Sequence, residues 1–200
     1  SPSAKGTRRM RNVALGFVSA PDAAKGGALA LAKFNACDNM TDRMSAMATL
    51  ANLDVPERVV ALDGFYDRYK GDALVIDKWF STQAFSTRSD TVAAVTALTA
   101  HPDFTLHNPN RFRALIGAFS NNQRWFNTGD GAGYCLLADQ IIALDPINPQ
   151  TAAKMVPPFG KWRRFDDTRA AQMKAALERI LATPGLSRDV FEQASKSLEG

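Results

Sequence analysis

Two cysteines, two histidines and no long apolar run are the first limits that this 200-residue sequence sets. Cys37 and Cys135 lie far apart, without the paired spacing of a disulfide framework or a zinc knuckle, so a reducing compartment, the cytoplasm, is expected. His101 and His107 are separated by Pro102 and have no Glu between them, which excludes a His-Glu-x-x-His zinc site. No stretch approaches the roughly 18 apolar residues of a membrane span. The first residues also lack the basic-then-apolar pattern of a signal peptide, so no membrane partner is expected. Sustained period-two alternation bounded by turn residues is missing too, and with it the signature of a sheet.

What is present is a helical chain. Apolar residues make up 46% of it, ample for a core, and 24 basic against 20 acidic residues give a net charge of +4 without a basic tail. A spread of this kind is a solvated surface rather than a nucleic-acid footprint. The chain begins Ser1-Pro2-Ser3 and enters a helical pattern at once, which reads as a piece of something longer.

Taken in order, Met10, Val13 or Ala14, Phe17 and Val18 recur at helical spacing over residues 4–18, with Arg8, Arg9 and Arg11 on other faces. Asp22 is a predicted N-cap for an alanine-rich helix over 23–34, which pairs with the first. Thr41 is the predicted cap of a helix carrying Met44, Met47, Ala48 and Leu50 or Ala51 inward, and Pro56 suits a first helical position. Val59, Leu62, Tyr66 and Tyr69 make the next stripe, and Leu74, Ile76, Trp79 and Phe80 lie in another short segment, residues 72–80. Asp90 is a predicted cap for residues 91–100, a run that Pro102 ends. Further helices are read over 111–119, through Tyr134, Leu137, Ile141 and Leu144, from Asn148-Pro149, from Asp166 and from Ser187.

About ten helices of roughly 8 to 16 residues with short connections form a helix-pair array. The expected fold is therefore all-α, a single domain over residues 1–200. Without a fixed sequence period it is an irregular superhelix of paired antiparallel helices, an ARM/HEAT-like solenoid, with a compact orthogonal bundle as the alternative.

Three stretches invite chemistry. Gly129-Asp130-Gly131-Ala132-Gly133 is rich enough in glycine to cradle a phosphate, but no strand precedes it, and a tight turn leading into a helix is the better reading. Lys161-Trp162-Arg163-Arg164-Phe165 mixes cations with rings, as a nucleic-acid groove does, but with one such cluster and a modest total charge a linker whose rings plug the core is the better reading. The two cysteines sit on apolar helical stretches and are expected to be buried, inert thiols.

Several motifs in one order carry a resemblance. They are Asn39-Met40-Thr41-Asp42, Asp77-Lys78-Trp79-Phe80, Asn108-Pro109-Asn110-Arg111-Phe112-Arg113 with Leu115-Ile116-Gly117-Ala118-Phe119, Asp130-Gly131-Ala132-Gly133-Tyr134 and Asn148-Pro149-Gln150. Together they resemble the C-terminal helical domain of bacterial aminopeptidase N, a zinc metallopeptidase family that removes N-terminal residues from peptides. The resemblance implies a noncatalytic domain. The family's zinc ligands, catalytic Glu and Gly-x-Met-Glu-Asn motif belong to another domain, so no catalytic or metal residue carries over and zinc is expected only in the parent's catalytic domain.

The partners it implies are that catalytic domain, over which the helices close, and the peptide in the enclosed cavity. Arg113, Gln150 and Lys154 are the implied cavity-lining residues: Arg113 or Lys154 for a substrate carboxylate and Gln150 for a peptide group. Lys154 stands where the family has Arg, keeping the charge without the bidentate fork. A stand-alone adaptor binding a peptide or nucleic acid through the basic central stretch is the alternative. An apolar patch where the catalytic domain would sit is also expected.

Overall fold

The computed structural model describes residues 2–199, and every regular element among them is helical. No described helix is long and apolar enough to cross a membrane. The residues fall into two compact units, 1–88 and 89–200, taken here one at a time.

The first unit holds α1 (Pro2–Ser19), α2 (Ala23–Ala36), α3 (Met40–Ala51), α4 (Glu57–Tyr69) and α5 (Ala73–Ala84). Helix α2 packs on α1, α3 and α4, and α3 also meets α5. Asp22 caps α2 as its sequence predicts, accepting from the Lys25 amide at 2.9 Å. The cap of α3 is Asn39 rather than Thr41. From an extended backbone Asn39 accepts from the Asp42 amide at 2.9 Å and donates to the Asp42 carboxylate at 3.0 Å, which leaves Thr41 inside the first turn. That donation is the leading reason the Asp42 carboxyl titrates below its usual range.

Helix α4 is rotated from its predicted stripe. It buries Ala61, Leu62 and Phe65, leaves Tyr66 and Tyr69 at the flanks and turns Val59 outward. Arg43 is the polar knot of this unit. It is 6% exposed and donates to the carbonyls of Phe34 and Cys37 and to the Tyr69 hydroxyl, tying the end of α2 to α4. The end of α3 is fastened by Ser86, which donates to the Ala51 carbonyl at 2.7 Å, and by Arg88 on the Leu53 carbonyl and Asp54.

Helix α1 departs from expectation. Leu15 and Ser19 face its neighbours, whereas Met10, Val13, Phe17 and Val18 point out. The reason is the α1–α2 crossing, where Gly26 lies so close to Ser19 that an added Cβ would sit 2.5 Å from the Ser19 Cα. The Ser19 hydroxyl is itself bonded to the Leu15 carbonyl, and this seam fixes which face of α1 turns inward.

The second unit starts with α6 (Thr91–Leu98). Asp90 precedes it with φ −87° and ψ 7°, not the extended geometry of a side-chain cap, and makes no cap bond. Then α7 (Pro109–Phe112) runs through a π-helical turn (Arg113–Gly117) into α8 (Ala118–Ser120). The later elements are α9 (Gln123–Phe126), α10 (Ala132–Leu144), α11 (Pro149–Ala153), a 3₁₀ helix (Pro157–Arg164), α12 (Asp167–Leu181) and α13 (Arg188–Glu199). All four predicted core positions of α10, Tyr134, Leu137, Ile141 and Leu144, are buried.

The centre of this unit is aromatic. Phe126 meets Phe119, Tyr134 and Phe159 with ring centroids 6.0, 5.2 and 6.2 Å away, the first two edge-on. The glycine-rich stretch serves this packing. Gly131 takes φ +73°, and a Cβ on Gly133 would lie 2.3 Å from the Phe126 carbonyl oxygen. Arg169 of α12 donates to the Asn127 carbonyl at 2.7 Å and Gln172 to that of Gly129 at 2.9 Å, clamping the loop. A Tyr134 hydroxyl 3.0 Å from Asn127 Oδ1 completes the join.

Gly64→Ala, where an added Cβ meets nothing within 4 Å, is expected to stabilise the chain by roughly 0.5–1 kcal/mol in urea unfolding. Gly26→Ala is expected to destabilise it by about 1–3 kcal/mol despite the same gain in helix propensity. Burial pushes the Tyr134 phenol from 10.0 up to about 12. The folded chain therefore keeps a proton that the unfolded chain releases, and stability is full below pH 10 and declines as pH rises towards 12, by roughly 2 kcal/mol from this group. Tyr134→Phe should remove that part of the alkaline decline in pH-dependent unfolding.

Candidate functional site

Asn148 starts the site. Its side chain accepts from the Thr151 amide at 3.0 Å, and Pro149 follows with no N–H to leave unsatisfied, so α11 begins sharply. Thr151 and Ala152 then turn inward, and Gln150 and Lys154, four residues apart, share the outward face. Helix α11 packs against α13, whose Asp189 and Gln193 form a second pair at the same spacing. Between the pairs lies an open groove of about 480 Å³, lined by Gln150, Lys154, Pro157, Asp189 and Gln193, with Ala153 on its floor.

The two walls are held together from below. Asp145 at the end of α10 is 4% exposed; its carboxylate accepts from the Ser187 amide at 2.8 Å and from the Ser187 hydroxyl. The same hydroxyl oxygen accepts from the Val190 amide at 3.2 Å, capping α13. Beyond Asp145, the Asn148 amide returns to the Leu144 carbonyl at 2.8 Å, which delivers the α11 cap. One turn of chain thus sets where both walls begin.

Chemically the groove offers one cation, one anion and two carboxamides around an apolar floor. Such a lining can bond the backbone groups of an extended peptide, accept a carboxylate at Lys154 and a cationic group at Asp189, and it holds no nucleophile paired with a base. Of the three residues that the sequence singles out, the structure brings Gln150 and Lys154 together. Arg113 does not line this groove. It lies exposed on the π-helical turn, its guanidinium 2.8 Å from Asn110 Oδ1 and its stem beside Gly117. Asp189 and Gln193 were not among the candidates, because in the linear sequence Asp189 is an ordinary first-turn acid and nothing local ties it to α11.

The remaining stretches are taken up by the scaffold. His101 Nδ1 accepts from the Asp103 amide at 3.1 Å, and His107 is exposed. Among the described residues no three His, Cys, Asp or Glu side chains are gathered in a group that could hold a metal ion. Trp162 is half-buried and donates to the Ser197 carbonyl at 3.2 Å, with Arg163 at 4.1 Å and Lys174 at 4.9 Å from its ring centre. The basic cluster thereby pins α13. Neither thiol is fully buried: Cys37 is half-buried and donates to the Phe34 carbonyl, and Cys135 is exposed, because it falls on the outward side of α10 between buried Tyr134 and Leu136.

The family described as "Domain of unknown function (DUF3458_C) ARM repeats" matches residues 1–199. Aminopeptidase N of Caulobacter vibrioides is 42% identical over 98% of this chain and 23% of its own length. Aminopeptidase N of Escherichia coli is 34% identical over 96% of the chain and 22% of its own. The crystal structure of Legionella pneumophila aminopeptidase A in complex with aspartic acid superposes with a TM-score of 0.91 at 35% identity, covering 97% of this chain and 23% of that one. The chain spans less than a quarter of the length of these relatives, and in aminopeptidase N it corresponds to the C-terminal part.

Asp145→Ala is expected to cost about 1.5–3 kcal/mol in urea unfolding, since it removes a charged acceptor from two donors, and Ser187→Ala less, since the backbone amide bond survives.

Proposed function

Because this chain belongs to the DUF3458_C ARM-repeat family and is homologous to the C-terminal part of aminopeptidase N, we propose that it is the noncatalytic helical domain of a zinc-dependent aminopeptidase. The whole of residues 1–200 acts as one functional domain. It covers the catalytic domain of the same polypeptide, so that peptides are trimmed in an enclosed cavity and folded proteins are kept out. Zinc and the groups that cut the peptide belong to that catalytic domain.

The observation that carries the reading is the match to proteins named aminopeptidase along nearly the whole of this chain. The groove gives it chemical content. Gln150 bonds a peptide group, and Lys154 receives the carboxylate at the distal end of a short peptide while the amino end is held at the zinc. Arg113 lines the cavity at a separate point. A lysine suits loose capture of ends at varying distance, since its ammonium is a mobile point charge and not a planar fork. Nucleic acid is not a partner in this reading, and the Trp162 stacking of Arg163 and Lys174 supports that. The parent works in the cytoplasm, a reading supported by two thiols that are both free.

Purified residues 1–200 with added zinc should show no peptidase turnover; robust turnover free of contaminants would refute the noncatalytic role. In the full-length enzyme, Lys154→Gln should raise KM about two- to fivefold for a short peptide with a free carboxylate and leave its C-terminal amide unaffected. Equal behaviour of acid and amide would remove Lys154 from substrate binding.

A further inference from the structure

The groove between α11 and α13 carries two opposite charges that are not spent on each other. Lys154 stands on one wall and Asp189 on the other. Among the described residues neither side chain makes a hydrogen bond or an ion pair, and the same holds for Gln150 and Gln193 beside them. Elsewhere in this unit exposed charges are committed: Arg169 to Asp166, Arg179 to Asp139 and Arg188 to Glu192. Arg188 feels the charge of Asp189, its neighbour in sequence, but its guanidinium bonds Glu192 at 2.6 Å. Asp189 thus lines the groove with no cation bonded to it.

Between the two charges the lining is apolar, with Ala153 on the floor and Pro157 at its edge. Helices α11 and α13 are packed neighbours, and the axes of packed helices lie about 8–10 Å apart. A ligand that engages both walls at once therefore needs a carboxylate and a cation joined by a flexible aliphatic stem. The last residue of a peptide ending in lysine or arginine has this constitution, and its stem suits the apolar floor. A terminal glutamate would bring a second anion to Asp189, and a terminal leucine would leave Asp189 unanswered. Gln150 and Gln193 remain for the last peptide groups. We infer that Asp189 is a specificity-determining residue of this groove and selects peptides whose distal end is lysine or arginine, with the terminal carboxylate at Lys154 and the side-chain cation at Asp189. This assignment rests on the reading of the groove as the place of the peptide's distal end, and adds a contact on the facing wall. Both charges are exposed, so the selection is a few-fold preference in KM and not a strict requirement.

The test uses the full-length enzyme and short peptides that differ only in their last residue, lysine, leucine or glutamate, as free acids, with the lysine and leucine peptides also as C-terminal amides. Release of the first residue is followed. KM for the lysine acid should be about two- to fivefold below that for the leucine acid, with the glutamate acid above both and kcat common to the three. Asp189→Asn should bring the lysine and leucine values together, and Asp189→Lys should reverse the order of lysine and glutamate. Asp189 also lies in the first turn of α13, where a carboxylate favours the helix, but a loss of helix stability acts on every peptide alike and leaves the ratios in place. Equal KM for lysine and leucine acids in the wild-type enzyme, with acids still preferred over amides, would overturn the role of Asp189 and leave the groove as the distal-end site. Loss of the acid-over-amide preference as well would overturn both. A preference for lysine that survives Asp189→Asn and Asp189→Lys would assign the selection to another residue and overturn the inference.

Discussion

The carboxylate of Asp145 is the interaction on which the candidate site depends. It is buried, and its charge is answered by the amide and hydroxyl of Ser187 at the start of α13. A buried carboxylate without donors would be expensive, so the helix it faces must begin there and nowhere else. Three residues later Asn148 caps α11, and the two groove walls start from a common base. The other end of α10 is equally fixed, because Gly133 admits the Phe126 carbonyl to a distance that any side chain would forbid. Helix α10 is thus located at both ends by contacts with little tolerance, and Gln150, Lys154, Asp189 and Gln193 inherit their positions from it.

Rigid support beneath an open, adaptable lining is an arrangement that would suit the peptide site proposed for this groove. Gln150, Lys154, Asp189 and Gln193 can change rotamer without disturbing the core, while the backbone that carries them cannot shift easily. Arg113 stands on a π-helical turn, a feature common at functional positions because it re-aims side chains within a helix. The buried arginine of the first unit does the opposite work. Arg43 places three of its five N–H donors on carbonyls and a hydroxyl of its own unit and is itself buried.

Much of the fold was legible because helix signals are local. Asp22, Asn148 and Asp166 each bond an amide three residues ahead, so a four-residue window contains the whole interaction. The core face of α10 was equally plain, since four apolar residues at helical spacing have only one way to be buried. Where two signals competed, a local reading chose wrongly. Asn39 and Thr41 both suit a cap, and the reciprocal bond to Asp42 decides for Asn39. The rest depends on residues distant in sequence. The Asp145–Ser187 bond, the outward turn of α1 imposed by Gly26 and the placing of Asp189 and Lys154 on one groove have no local signature. Half of the candidate site was therefore readable from the Asn-Pro-Gln motif, and the wall opposite it was not.

Enclosure is the role we propose for this domain: it would close a cavity that admits a peptide end and refuses a folded body. The most direct measurement gives the full-length enzyme a folded protein bearing an unstructured N-terminal tail and follows, by mass spectrometry, where trimming stops. The account predicts rapid removal of the outer tail residues and a stall while several remain attached to the folded body, with the released tail peptide trimmed to completion. Trimming at an undiminished rate up to the edge of the folded body would contradict it.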